Sequence, residues 1–178
     1  MATVDTLLRD VVLPYLHELG ERWKRGDASV AQEHFASSVL RGRLLGLARG
    51  WGQGLGPVAV LACLPGEQHD LGLITFGLAL RARGWRIVYL GTDTPIETVE
   101  EVSRQFDPNL VVLVAVSSER VQPVLAQLHA LAGRHHLALG GGAGANGAPR
   151  PSGVLELTGD PIAEAARVTR LVQEGARR

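Results

Sequence analysis

The 178-residue sequence has no excess of charge of either sign, since 18 lysines and arginines balance 18 aspartates and glutamates. A protein that grips a nucleic-acid backbone with its own surface needs clustered positive charge, so the balance argues against direct nucleic-acid binding. Long hydrophobic runs are also lacking. The longest, such as Leu110–Val116, fall far short of the roughly 20 residues that span a bilayer. We therefore expect neither a nucleic acid nor a membrane as a partner.

Cysteine is nearly absent too. The single residue, Cys63, forms no internal disulfide and builds no thiolate metal site by itself. The N-terminal segment shows no basic stretch followed by an apolar one, so a secretory signal is not readable. We therefore expect a cytoplasmic protein.

The first fifty residues carry apolar side chains at helical spacing, with one broad stripe over Leu7–Leu19 and a second stripe further on. Pro14 should kink or restart the first helix, and Gly26 should end it. Ser29 and Gln32 have the spacing of a capping box at the start of the next helix. The pattern predicts a helical hairpin.

After a glycine-rich linker, short apolar runs alternate with amphipathic stretches. Continuously apolar strands are covered on both faces, which predicts a parallel sheet with helical crossovers. We therefore expect an α/β fold in residues 57–178: a Rossmann-like, flavodoxin-like sheet of about five strands. The strands are predicted at Val58–Leu64, Arg86–Leu90, Leu110–Val116, His136–Leu139 and Val154–Leu157. The helices are predicted at His69–Arg83, Ile96–Gln105, Val121–Leu131 and Pro161–Glu174.

Ligands of such sheets bind beyond the carboxyl ends of the strands, and the loop Pro65–Gly72 lies at the first of these ends. His69 can ligate a metal through one ring nitrogen while the other donates to a carboxylate such as Glu67. Gly72 lets a bulky planar ligand approach the backbone. The alternative for His69 is a surface histidine in a turn. The run Gly140–Gly144 leads into more loop, so it favours no dinucleotide site.

A second cluster lies in the helical part. Val30, Glu33 and His34 share one face of the second predicted helix, and Trp23 stands at the end of the first. Together they can form a lid with an aromatic wall, a carboxylate and an imidazole. The alternatives are a core tryptophan and a solvated helix face.

Both clusters resemble motifs of one protein family. The first loop resembles the Asp-x-His-x-x-Gly motif of cobalamin-binding domains, with Glu67 in place of the aspartate. Trp23, the nine residues after it and the pair Glu33-His34 resemble the signature of the CarH photoreceptors, which sense light through adenosylcobalamin. The resemblance covers the predicted sheet and the helical part.

In the family the motif histidine displaces the dimethylbenzimidazole base, and the nucleotide tail is threaded into the sheet beside a Ser-x-Leu segment and a Gly-Gly pair. Gly140 and Gly141 match that pair, whereas the Ser-x-Leu segment falls on Val114 and Val116. The resemblance implies His69 as the lower axial ligand of cobalt. It implies adenosylcobalamin as cofactor, or another cobalamin such as methylcobalamin or hydroxocobalamin. The implied cofactor-binding residues are Trp23, Val30, Glu33, His34, Glu67, His69, Asp70, Gly72, Thr94, Ser117, Ser118, Gly140 and Gly141.

The sequence departs from the photoreceptors in three ways. No MerR-type DNA-binding domain precedes the helices, only the second half of the four-helix bundle is recognisable, and Lys24 stands where the best-known members have a histidine. We therefore expect a truncated helical lid over residues 1–50, a homo-oligomer, and a protein partner such as a transcription regulator.

The expected function is a sensor rather than an enzyme, in which light breaks the cobalt–carbon bond and changes oligomerisation or partner binding. One alternative is a corrinoid methyl-carrier protein of a methyltransferase system. Another is the small subunit of a carbon-skeleton mutase, which the helical hairpin disfavours. Only the lid residues discriminate among the three, because all three share the fold.

Overall fold

The computed structural model describes residues 3–27, 29–144 and 149–175, without the side chains of Trp23 and Lys24. The chain divides into two compact units, with the boundary between Gly50 and Trp51. The first unit is helical and the second is α/β. Among the helices so described, none is both long enough and apolar enough to cross a membrane.

The helical unit begins with helices α1 (Val4–Leu7) and α2 (Leu13–Arg25), joined by a π-helical segment, Leu8–Val12. The N–H of Leu13 bonds to the carbonyl five residues back instead of four. Pro14 has no N–H, and its ring collides with a carbonyl placed at normal helical distance. The wider turn just before the proline relieves this conflict. The kink or restart predicted at Pro14 thus takes the form of a π-helical segment, after which α2 begins at Leu13.

The end of α2 and the start of the next helix follow the predicted signals. Gly26 has a positive φ of 76°, the left-handed conformation that commonly terminates a helix. Helix α3 (Val30–Leu47) then begins with a complete capping box. The hydroxyl of Ser29 accepts from the Gln32 N–H at 3.2 Å, and the Gln32 side chain accepts from the Ser29 N–H at 2.9 Å.

The described residues of the second unit form five parallel strands in the order β2-β1-β3-β4-β5, the flavodoxin-like order. The predicted α/β class and strand number are confirmed. The strands are β1 (Val58–Cys63), β2 (Arg86–Gly91), β3 (Leu110–Ala115), β4 (Leu137–Gly141) and β5 (Leu155–Leu157).

In the described part of this unit, four helices flank the sheet: α4 (Leu71–Ala82), α5 (Ile96–Phe106), α6 (Leu125–Ala132) and α7 (Pro161–Gly175). Helix α6 differs most from its prediction, because it starts at Leu125 instead of Val121. Two short 3-10 turns, Ser118–Arg120 and Gln122–Val124, occupy the segment before it. Pro123 lies in the second turn, where its missing N–H and its ring disfavour a regular α-helix.

Strand β4 is longer than predicted at its carboxyl end. It continues beyond Leu139, and Gly140 pairs with Val114 while Gly141 pairs with Ala115. Glycine is a weak strand residue, which is why the sequence pattern placed the end earlier. Here the missing side chains allow close approach, since a Cβ at Gly141 would lie 2.7 Å from the carbonyl oxygen of Ala115.

The strand order places the ends of β1 and β3 at the point where the chain changes direction across the sheet. β1 is buried along its whole length, with β2 on one side and β3 on the other. In open parallel sheets the crevice at such a switch point is where ligands bind. The loop after β1 and the turns after β3 are therefore the segments that build the candidate site.

Candidate functional site

The centre of the site is a carboxylate–imidazole pair in the loop after β1. Glu67 is buried, with 1% of its side chain exposed, whereas the His69 side chain is 72% exposed. Glu67 Oε1 lies 2.6 Å from His69 Nδ1 and also accepts from the His69 backbone N–H at 2.8 Å. The structure thus brings together the two loop residues that the sequence singled out.

This pairing leaves the other ring nitrogen of His69 open. When Nδ1 donates to Glu67, the neutral ring carries its lone pair on Nε2. Nε2 has no hydrogen-bond partner among the described residues. Within the same residues, no group of three or more histidine, cysteine, aspartate or glutamate side chains could hold a metal ion. Nε2 is therefore the ring nitrogen that could ligate a metal.

Glu67 is held from a second strand as well. Its Oε2 accepts from the Val116 N–H at 2.8 Å, just past the end of β3. Burial raises the pKa of Glu67, but hydrogen bonds from the His69 and Val116 N–H groups, together with the His69 ring, outweigh burial and lower the pKa below its ordinary value. The carboxylate therefore stays ionised and faces the imidazole with full charge.

The backbone of the loop is tied to the loop after β2. The Asp93 N–H donates to the Glu67 carbonyl at 2.8 Å, and the Gly66 N–H donates to the Asp93 carboxylate at 2.6 Å. Gly66 and Asp93 both have positive φ, 77° and 47°. Thr94, a predicted site residue, is buried beside them, and its hydroxyl donates to the Gly91 carbonyl at 3.2 Å. Thr94 thus supports the loop after β2.

Asp70, another predicted site residue, is buried beneath the surface of the site. It precedes helix α4, is 2% exposed, and accepts a hydrogen bond from the Tyr89 hydroxyl on β2. The Tyr89 ring packs edge-on against Trp51, with centroids 5.5 Å apart. Sequence reasoning named Asp70 but missed Tyr89, because a tyrosine in an apolar strand is expected to be a core residue.

The glycines of the site fall into two kinds. Gly72 is exposed, and a Cβ there would meet nothing within 4 Å, so the surface beside His69 is open. Gly140 differs, because a Cβ there would lie 3.0 Å from Cγ1 of Val114. The structure places Gly140 and Gly141 against β3, where they permit close approach between the strands.

The turn after β3 holds the two predicted serines. The Ser117 hydroxyl accepts from the Glu119 N–H at 3.2 Å and so caps the first 3-10 turn, whereas Ser118 is exposed. This turn borders an open surface pocket of about 330 Å³. The pocket is lined by Pro65, Ser117, Glu119, Arg120, Pro123 and Val124.

Arg120 is a site residue that sequence reasoning missed. Its Nε lies 3.4 Å from Glu67 Oε2, although the two residues are 53 positions apart. No local spacing signals this contact, which depends on β1 and β3 being neighbours in the sheet.

The helical unit carries the other predicted residues. Val30 and His34 are exposed on α3, and His34 Nδ1 lies 3.6 Å from Glu33 Oε2. The Ser37 hydroxyl donates to Glu33 Oε1 at 2.6 Å. The Trp23 side chain, predicted as the aromatic wall, lies outside the described residues.

Comparison with protein-family models gives two matches, both described as a B12 binding domain. One model matches residues 57–163, which is the sheet with most of its helices, and the other matches residues 1–45 in the helical part. Each unit of the chain thus carries its own family match.

Two curated proteins from Myxococcus xanthus are similar in sequence. The chain is 37% identical over 113 residues to the HTH-type transcriptional repressor CarH, a match covering 64% of this chain and 38% of the relative. It is 38% identical over 111 residues to the HTH-type transcriptional repressor CarA, covering 62% of this chain and 37% of the relative. The chain therefore matches well under half the length of these relatives.

Solved structures share the fold. The Methanosarcina barkeri monomethylamine corrinoid protein has a TM-score of 0.59 and 20% identity, over 95% of this chain and 80% of that one. The methanol:cobalamin methyltransferase complex MtaBC of the same organism has a TM-score of 0.54 and 17% identity, over 94% of this chain and 67% of that one. At these identities the likeness shows the fold alone.

Proposed function

Because this chain belongs to the B12-binding domain family, it is a cobalamin-binding protein, and we propose that His69 is the lower axial ligand of the cobalt. The observation that carries this proposal is the Glu67–His69 pair. Nδ1 is held at 2.6 Å by a buried carboxylate, and Nε2 has no partner among the described residues. A carboxylate behind a ligating imidazole fixes its tautomer and raises its basicity.

The surroundings of His69 fit a large planar ligand. Gly72 offers no side chain on the adjoining surface, and no Cβ contact would arise there within 4 Å. The Tyr89 hydroxyl donates to the buried carboxylate of Asp70, the residue after His69, and so helps to fix the end of this loop. We assign Ser117 and Ser118, with Gly140 and Gly141, to the nucleotide tail as part of the same proposal.

For the helical unit, residues 1–50, we propose the role of a lid on the upper face. Val30, Glu33 and His34 share one helix face with exposed apolar and polar groups, and Trp23 belongs to the same motif. A carboxylate and an imidazole beside an apolar side chain suit a ribose and an adenine. This arrangement supports adenosylcobalamin rather than a smaller upper ligand.

We propose that the module is a light sensor. Adenosylcobalamin, when bound, supplies a cobalt–carbon bond that light can break. The 37% identity to a repressor and the Trp23, Glu33 and His34 pattern support this function. A transcription regulator is the partner class that the two repressor relatives indicate, and a homo-oligomer in the dark is part of the proposal.

A corrinoid methyl carrier is the second candidate. The observation that favours it is the fold shared with the monomethylamine corrinoid protein, with a TM-score of 0.59 over 95% of this chain. A carrier needs the His69 loop but has no use for an adenosine-binding lid. Preference for the upper ligand therefore separates the two functions.

The test loads the full chain in the dark with adenosylcobalamin or methylcobalamin, and records the affinity, the absorption spectrum and the elution volume before and after green light. A light sensor prefers adenosylcobalamin and changes both spectrum and elution volume. Preference for methylcobalamin with an unchanged elution volume would instead establish the carrier. The paired variants Glu33→Gln and His34→Ala should reduce the preference for adenosylcobalamin without altering the fold.

The axial assignment has its own measurement. With ¹⁵N-labelled histidine and cob(II)alamin as probe, the electron paramagnetic resonance spectrum should show coupling to one labelled nitrogen, and this coupling should vanish in His69→Ala. His129→Ala, at an exposed position on α6, is the matched control and should leave the coupling intact. A wild-type spectrum showing only the cofactor's own base would refute the assignment.

A further inference from the structure

The two oxygens of the Glu67 carboxylate are used differently. Oε1 accepts from the backbone N–H and Nδ1 of His69, at 2.8 and 2.6 Å. Oε2 accepts from the Val116 N–H at 2.8 Å and faces Arg120 Nε at 3.4 Å. Among the contacts described for this carboxylate, His69 and Arg120 supply the side chains. His69 therefore contacts Oε1, whereas Arg120 is the side chain that lies near Oε2.

Arg120 Nε is an orphaned buried donor. It is inaccessible to solvent and makes no hydrogen bond with any described residue, although the side chain as a whole is 37% exposed. Glu67 Oε2 lies 3.4 Å away, about half an ångström beyond a charge-assisted hydrogen bond. A buried N–H without a partner is costly, so a small shift that closes this gap is favoured.

The loop after β1 leaves room for the guanidinium. Gly66 has a φ of 77°, and a Cβ built there would lie 2.5 Å from Arg120 Nη1. A side chain at this position would therefore force the end of the Arg120 guanidinium to shift. On the other side, Ser117 caps the 3-10 turn that presents Arg120.

We propose that Arg120 is a positioning residue for the axial ligand, which holds Glu67 Oε2 so that Oε1 stays aimed at His69 Nδ1. The inference rests on the proposed function of His69. A guanidinium stays charged at every pH that the protein meets, so it is a permanent counterpart for the buried carboxylate. The other donor on Oε2, the Val116 N–H, is neutral, so Arg120 supplies the positive charge on this side of the carboxylate. Replacing Arg120 should therefore weaken the hold on Glu67 Oε2 and, through the carboxylate, make the position of the His69 imidazole less well defined.

The test measures the tautomer of the His69 ring in the cobalamin-free protein, so it does not depend on cofactor binding. With ¹⁵N-labelled histidine at one fixed pH, NMR reports the fraction of neutral ring that carries its proton on Nδ1, and the His69 signals are identified by their loss in His69→Ala. Wild type should favour the Nδ1–H form. Arg120→Met should shift the population toward the Nε2–H form, in the same direction as Glu67→Gln, and Arg120→Lys should restore part of it.

Spectral titration with aquocobalamin supplies a second readout. Arg120→Met should raise Kd by about 3- to 10-fold, less than the roughly 10- to 100-fold expected for the direct partner of a metal-ligating histidine. Arg134→Met is the matched control, because Arg134 pairs with Glu100 at 2.6 Å in the same unit and contacts neither loop residue. It should change neither measurement.

Arg120→Gln accompanies Arg120→Met in case the methionine variant fails to fold, which far-UV circular dichroism checks. The proposal is overturned if a folded Arg120 variant keeps the wild-type tautomer population while Glu67→Gln shifts it. Failure of the wild-type chain to bind aquocobalamin would count against the proposed function instead. The tautomer measurement would still decide the role of Arg120 in that event.

Discussion

The backbone N–H of Val116 donates to Oε2 of Glu67 at 2.8 Å, so the end of β3 holds the carboxylate of the loop after β1. A glutamate is one methylene longer than the aspartate of the family motif. In this structure the extra length accompanies a carboxylate that reaches both the neighbouring strand and the imidazole. The position of His69 thus depends on two neighbouring strands.

Glu67→Gln should weaken cobalamin binding. The glutamine carbonyl can still accept from Val116, but the negative charge opposite His69 Nδ1 is lost. We expect Kd to rise by roughly 10- to 100-fold, the usual effect of losing the partner of a metal-ligating histidine. Equilibrium spectral titration with aquocobalamin measures the change. Glu101→Gln, at an exposed position on α5, should bind like wild type.

The cobalamin-free protein should lose stability in acid through Glu67. Because its pKa is lowered in the folded state, the ionised side chain stabilises the fold above its unfolded pKa of about 4.5, and this contribution falls as pH drops through the folded pKa. Urea unfolding of wild type and Glu67→Gln should show an advantage for wild type at pH 6 that shrinks toward about pH 3. A constant difference across this range would contradict the assigned ionisation.

Tyr89→Phe should destabilise the α/β unit. The Tyr89 hydroxyl donates to Asp70, which is 2% exposed, and the variant removes that donor while keeping the ring against Trp51. A buried carboxylate that loses a donor costs about 1–3 kcal/mol of unfolding free energy. Tyr15→Phe, at an exposed helical position, should change stability by less than about 0.5 kcal/mol. Denaturant titration of both variants makes the comparison, and equal losses would contradict the prediction.

Gly72→Ala should raise the stability of the protein but weaken its binding of cobalamin. Gly72 lies in the first turn of α4, and an added Cβ meets nothing within 4 Å, so helix propensity should stabilise the cobalamin-free protein by roughly 0.5 kcal/mol. The same Cβ occupies the surface that the proposed ligand approaches. We therefore expect Kd for aquocobalamin to rise about tenfold, or 1.4 kcal/mol. Unchanged affinity in a stabilised variant would place the ligand elsewhere.

Much of the fold follows from local pattern. The run Leu110–Val116 is apolar throughout, which is typical of a strand covered on both faces, and β3 is buried along nearly all of its length. Gly26 ends a helix through its own positive φ, and Ser29 and Gln32 start the next one through contacts three residues apart, so local sequence places both signals. The pairing of Glu67 with His69 was predictable for the same reason, since the two side chains lie two positions apart.

Tertiary structure decided the rest of the site. The contacts of Glu67 with Val116 and Arg120 join residues 49 and 53 positions apart, and they exist because β1 pairs with β3 in a register that sets Cys63 opposite Val114. Strand order and register come from the packing of the whole sheet, so no local spacing encodes them. The residues of the loop after β1 were therefore readable from the sequence, whereas the neighbours that hold Glu67 in place only appear once the chain is folded.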